Sequence, residues 1–257
     1  MSDYSYAELT DRNWGFLAAR DQERIKEAKV LLAGCGLGSN IATLAVRTGF
    51  TRFILADGDS VETSNLNRQA FRIEHIGKNK AEVTAGLVRE INPEAEIEVL
   101  PNFITEEEST GLVTRADLIV NMVDPGPVTF AINRVACCQN KIVLFPFNIG
   151  FGGMALAFSP DSVTLEEMID GDATEETLFY CLIEKLIPVL PPLNSYVEQF
   201  PDMVRDITGR TRPIPQLGVA ASISASLVVT AMVRVALGLP VKVAPHPLSL
   251  DAWTCNR

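Results

Sequence analysis

Positive charge, histidine and paired cysteines are all scarce in this 257-residue chain. Thirty-two Asp and Glu stand against 22 Lys and Arg, a formal net charge of −10, and only His75 and His246 represent their type. No run of Lys and Arg breaks that balance. The basic stripe with which proteins neutralise nucleic-acid phosphates is therefore missing, and a nucleic-acid partner is disfavoured. Five cysteines (Cys35, Cys137, Cys138, Cys181 and Cys255) are odd in number, scattered and free of any C-x-x-C pair. That is no disulfide framework. The opening MSDYSYAELTDRNW has neither a basic n-region nor an apolar h-region, so no signal peptide is read and a cytoplasmic place is expected. Internal repeats and low-complexity linkers are also lacking. One long uncharged run exists, IPQLGVAASISASLVVTAMV over 214–233, the length of a minimal membrane span. Its Gly, Ala and Ser content, its flanking Pro213 and Pro215 and its isolation favour a buried core helix, and no membrane partner is expected.

Apolar residues at 47% and charged residues at 21% describe an ordinary globular chain, long enough for one large α/β domain or two small ones. From Lys29 onward strands and helices alternate, which favours a parallel sheet covered on both faces. KVLLAGC, RFILADGD, EIEVLPNF, ADLIVNMVD and KIVLFPF read as strands. NIATLAVRTG, KAEVTAGLVREI and VTFAINRVACCQN read as helices, the second stopping before Pro93. The expected fold is a Rossmann-like, doubly wound, mainly parallel α/β unit over about 25–158, with extra strands and helices after it.

In such folds the ligand lies beyond the carboxyl ends of the strands, where the first loop meets a helix N-terminus. Here that loop is GCGLGS, with Gly34, Gly36 and Gly38 spaced so that backbone N–H groups can approach phosphate. Ser39 occupies the third position of the dinucleotide fingerprint, so the loop alone leaves NAD and ATP both open. Asp57, ending the second strand, is placed to accept hydrogen bonds from ribose hydroxyls. The next stretch is not dehydrogenase-like. Asp59, Asn65, Asn67, Arg68 and Gln69 crowd it, and Lys78 and Lys80 come soon after. Arg68 offers a planar fork for two phosphate oxygens and Lys80 a point charge, the pair that a triphosphate needs.

GCGLGS (34–39), DGDSVETSNLNRQ (57–69) and GKNKA (77–81) together resemble the signature of the ThiF/MoeB/HesA adenylyltransferases, bacterial relatives of ubiquitin-activating enzymes. The resemblance extends from RNWGF at Arg12 to LDAWTC near the end, weakest over 160–212, and implies a single adenylation domain over 1–257 with a substrate and dimer region at 159–257. It implies Mg-ATP-dependent activation of a carboxylate as an acyl-adenylate, with loss of pyrophosphate. The carboxylate would be the C-terminus of a ubiquitin-like sulfur carrier, another peptide or a small acid. Carried over by motif, Asp57 binds the ribose, Asn67, Arg68 and Lys80 the phosphates, and Asp59, Asn65 and Gln69 line or support the pocket. In NMVDP (121–125), Asp124 matches the second aspartate of the family's D-x-x-D-N stretch and would hold Mg²⁺. Asn121 and Pro125 depart from that stretch, and Asp124 has a competing role as a helix cap. Arg12 would reach the partner's site in a homodimer. The zinc-binding cysteine pairs of many relatives are missing, so no zinc is expected. Cys181 is the best-placed candidate thiol by location, but its helical periodicity better suits a small apolar core residue. Two other readings stay open: ATP-dependent dehydration or cyclisation of a small molecule or modified nucleoside, and an inactive subunit of a heterodimer. Retention of Arg68, Lys80 and Asp124 together argues against the second.

Overall fold

A computed structural model of the protein describes residues 4–124, 126–169, 181, 196, 198–209, 211–212 and 214–253. The turn-rich IPVLPPLN, residues 170–178 of the acidic stretch and Cys255 lie outside the described residues. A short helix α1 (Tyr6–Thr10) and helix α2 (Ala19–Glu27) precede the sheet. The alternating core then runs β1 (Lys29–Ala33), α3 (Gly36–Thr48), β2 (Arg52–Ala56), α4 (Lys80–Ile91), β3 (Glu96–Leu100), α5 (Glu106–Thr114), β4 (Leu118–Asn121), α6 (Pro127–Cys138) and β5 (Val143–Ile149). After it come β6 (Gly152–Phe158), α7 (Leu165–Met168), α8 (Pro201–Thr208), α9 (Gly218–Ala236) and β7 (Leu248–Asp251).

One seven-stranded sheet has the order β3-β2-β1-β4-β5-β6-β7. The first five strands are parallel, with β1 between β2 and β4, the strand order of a doubly wound sheet. β6 returns antiparallel along β5, and β7 antiparallel along β6. The last strand, beyond residue 159, thus extends the same sheet. Strand ends differ from the pattern in the sequence. β3 stops at Leu100 because Pro101 comes next, whereas β5 runs on through Pro146, a residue with no N–H to donate to a ladder.

Alternate residues of β1 face opposite sides, which is why its apolar run is continuous. Val30 and Leu32 pack with Ile41, Val46, Val228 and Met232 of α3 and α9. Leu31 and Ala33 pack with Leu112, Ile132 and Phe158 on the other side. Each Leu or Ile buried in this way contributes about 1.5–3 kcal/mol.

The uncharged run is helix α9, long and apolar enough to cross a membrane by length and composition alone. Burial on every side is not what it shows. Ala220, Ser224, Ala225, Val228 and Met232 are buried, while Val219, Ser222, Ser226 and Thr230 are exposed. A Cβ at Gly153 of β6 would collide with the Ser224 main chain, and Ser224 Oγ donates to the Phe147 carbonyl at 2.6 Å. Glycine there lets the helix lie directly on β5 and β6. The helix begins at Gly218, later than the apolar run, because Pro215 biases Ile214 to extended backbone and Leu217 is extended as well.

Candidate active site

A cavity of about 550 Å³ opens at the carboxyl edge of β1, β2, β4 and β5, reaching across to the stretch before α9. Gly34 begins its floor. Its φ of +97° belongs to the left-handed region, and a Cβ would stand 2.6 Å from the Met122 carbonyl oxygen. Only glycine fits there without strain. Gly36 and Gly38 sit in the first turn of α3, against the side chains of Gln69 and Met122 respectively.

Asp57 ties this loop to the end of β2. One carboxylate oxygen accepts the Cys35 N–H at 2.6 Å and the other the Asp59 N–H at 2.8 Å. Each oxygen keeps a lone pair for a ribose hydroxyl. Burial raises the Asp57 carboxyl above its usual range, opposed by those two hydrogen bonds and by Lys80. Burial drives the neighbouring Cys35 thiol strongly upward, so Cys35 is no thiolate.

The spacing between the DGDSV and GKNK segments has a structural cause. They zip together: the Val61 N–H donates to Lys78 O, the Gly77 N–H to Val61 O and the Lys80 N–H to Asp59 O. Asn79 caps α4 by accepting from the Ala81 and Glu82 N–H groups. That pairing delivers Lys80, only 9% exposed, with its ammonium 2.8 Å from Asp59 Oδ2. The aspartate holds the ammonium at the cavity wall.

The 65–69 turn is built by Asn65, whose side chain accepts the Glu62 N–H and whose carbonyl accepts the Arg68 and Gln69 N–H groups. Ser39 is buried and joins this turn to the glycine loop, donating to Gly36 O at 2.7 Å and accepting from the Ala70 N–H at 3.0 Å. Its hydroxyl holds structure together and does not line the cavity. Gln69 does line it, with its Oε1 buried and without a partner among the described residues.

Arg68 lines the cavity too, but the expected fork is half engaged within the protein. Nε donates to Gln216 Oε1, and Nη1 donates to Ser64 O and Asn67 Oδ1. Asn67, expected on the phosphates, instead points its amide at the Gln216 carbonyl and borders a second, shallower cleft against α9.

Asp124 is exposed on the rim. The competing cap role falls away, since Gly126 is the N-cap of α6 without a side-chain bond and Asp124 uses its main-chain carbonyl to accept from Thr129 Oγ1. Its carboxylate has no hydrogen bond among the described residues, which suits a cation. Among those residues no cluster of three His, Cys, Asp or Glu forms a closed metal cage. Mg²⁺ needs none, because it takes one or two carboxylates and fills its octahedron with phosphate and water. Asn121, standing for the family's first aspartate, is buried and donates to Thr129 O and Asn133 Oδ1 of α6.

Arg12 is not brought to its own chain's cavity. Asn13 donates to Thr48 O and Tyr6 to Gly49 O, which fixes the segment at the carboxyl end of α3. Thirteen residues of helix place that end about 20 Å from Gly36. Cys181 is partly buried against the core and is not part of the cavity wall. The residues missed by sequence reading are Asn148, Gln216, Phe103 and Ile104. The only local hint for Gln216 was a polar side chain set between a proline and an apolar helix.

A model described as the ThiF family matches residues 10–257. The chain belongs to the ThiF family. Among curated ThiF relatives, the sulfur carrier protein ThiS adenylyltransferase of Escherichia coli is 30% identical over 146 residues, 56% of this chain and 58% of that protein. The sulfur carrier protein adenylyltransferase of Thermus thermophilus is 32% identical over 139 residues, 53% of this chain and 51% of that one. The chain therefore spans just over half the length of these relatives. In fold it is similar to PaaA, with a TM-score of 0.69 and 19% identity over 99% of this chain and 82% of that one. E. coli MccB, solved with ATP, superposes with a TM-score of 0.64 and 19% identity over 90% and 63%. These neighbours bear out the α/β architecture with its mainly parallel sheet.

Proposed function

We propose that the chain is a Mg-ATP-dependent adenylyltransferase that activates the carboxylate of a ubiquitin-like carrier or other peptide. The observation that carries this reading is the gathering of Asp57, Arg68, Lys80 and Asp124 around one cavity at the sheet's carboxyl edge. Adenylation joins two anions, so the site must hold them together and meet charge as it develops. A carboxylate oxygen attacks the α-phosphorus, the bond to the bridging oxygen of pyrophosphate breaks, and that oxygen leaves with the electron pair. Asp57 orients the ribose, Lys80 meets the phosphate charge near the transferring centre, and Arg68 steadies the outer phosphates. Asp124 would hold Mg²⁺, which when bound neutralises the leaving pyrophosphate. The names of the sulfur-carrier relatives support a carrier C-terminus as the acyl donor, and a cytoplasmic place suits the need for ATP.

The chain acts as a homodimer in this reading. Arg12 stands away from its own cavity on a segment whose Trp14 and Phe16 are 75% and 95% exposed, a face that a second copy would cover. Sedimentation tests the dimer directly. Pyrophosphate exchange into ATP tests the chemistry: exchange dependent on one carboxylate acceptor supports adenylation, while ATP binding without exchange for carriers, peptides and small acids points to an inactive subunit.

A further inference from the structure

Arg68 has partners that no motif announces. Its Nε donates to Gln216 Oε1 at 3.0 Å, and the same oxygen accepts Asn148 Nδ2 at 3.0 Å. The Gln216 main-chain carbonyl accepts Asn67 Nδ2 at 2.9 Å. Gln216 stands in the extended stretch ahead of α9, and α9 is seated by Ser224 on the Phe147 carbonyl. Its place is therefore set by helix packing on β5 and β6 together with main-chain contact to the loop that carries Arg68, since a Cβ at Gly218 would meet the Asn67 carbonyl at 2.6 Å.

Chemistry fixes how these groups are turned. A guanidinium only donates, so it demands the oxygen of Gln216 and never the amide nitrogen. With Oε1 turned that way, Asn148 must offer its NH₂, and its own Oδ1 is left buried without a partner among the described residues. Reversing either amide would set donor against donor or acceptor against acceptor. With Nε on Gln216 and Nη1 on Ser64 and Asn67, only Nη2 is left as a free edge among the described residues.

We propose that Gln216, held by Asn148, is a positioning residue that fixes the guanidinium plane of Arg68 so that its Nη2 edge serves the triphosphate. The role rests on the adenylation reading only for the identity of that anion. It also converts the expected two-pronged fork into a single-nitrogen contact, with the rest of the guanidinium acting as a tether between the 65–69 turn and α9.

The test is calorimetric titration of the whole chain with ATP and, separately, with adenosine. Gln216→Ala should weaken ATP about tenfold, the scale of one lost hydrogen bond to a charged group, and leave adenosine unchanged. Asn148→Ala should weaken ATP in the same direction and by less. In an Arg68→Ala background, Gln216→Ala should add nothing. Persistence of the full loss in that background, an equal loss for adenosine, or no loss in the single variant would each overturn the role. Failure of the wild-type chain to bind ATP would overturn the adenylation reading and this role together, whereas intact ATP binding in Gln216→Ala overturns the role alone.

Discussion

The two halves of the cavity wall are built by opposite strategies. On the β1–β2 side, the charged side chains are committed to named partners: Asp57 to two N–H groups and Lys80 to Asp59, with Ser39 stapling the loops behind them. On the β5 side the wall is largely apolar, with Phe145, Phe147 and Ile214 beside Asn148 and Gln216. In the proposed adenylation reading the first wall meets phosphate and ribose, which present fixed oxygens at fixed spacings, so it must place donors to within a fraction of an ångström. An acyl group asks chiefly for shape. The first wall is correspondingly rich in motif and the second nearly silent.

Breaking the first wall should have the largest effect. Lys80→Ala and Arg68→Ala should each lower pyrophosphate exchange by about two to three orders of magnitude, since losing one preorganised charge stabiliser costs that much, with far-ultraviolet circular dichroism unchanged. Near-normal exchange in both variants would remove the assignment of that wall to phosphate. Next in size are the backbone contacts beneath both walls. Gly34→Ala and Gly153→Ala should each destabilise the fold by roughly 1–3 kcal/mol in urea titration, because each adds a Cβ where main chain already stands. A neutral Gly153→Ala would mean that α9 is free to slide and cannot fix Gln216.

A smaller effect should appear in pH dependence. The native Asp57 carboxyl titrates above its unfolded value, so the folded state binds the proton more tightly. The stability it contributes is full below the unfolded carboxylate value of about 3.9 and is lost as pH rises through the raised native value. Asp57→Asn should remove that part of the acid-side slope in denaturation series across pH, and an unchanged slope would show that the charge is already well solvated. The smallest difference is predicted for the thiols. Exposed Cys138 should alkylate readily in the native chain while Cys35, buried between β1 and α3, stays unmodified until unfolding. Cys181→Ala should leave exchange untouched, as befits a side chain away from the cavity.

Much of the first wall was readable because its segments are local. The run from Asp57 to Gln69 and Lys80 are close in sequence, and their types suit anions whatever the rest of the chain does. Reading fell short where one residue serves another across the fold. Asn67 looked like a phosphate ligand and turns to Gln216, 149 positions away. Ser39 looked like part of the phosphate loop and is a staple to Ala70. Asp124 carried two meanings in the sequence, and only the conformation at Gly126 removed the capping one. For α9, composition spoke for burial while the packing left one face bare, since a single helix lying on a sheet can cover only the side it rests on.

Strand and helix alternation, the glycine loop and the order of polar residues after β2 were determined by the sequence alone, because periodicity and local hydrogen bonding act over a few residues. The tertiary structure alone decided that Gln216 and Asn148 meet Arg68, that the guanidinium keeps one free edge among the described residues and that the segment carrying Arg12 is tied to the far end of α3, about 20 Å of helix from Gly36. Those facts depend on where α9 settles on the sheet and where the N-terminal segment is tied. Such placements come from packing between distant segments, for which no local pattern of residues is a sign.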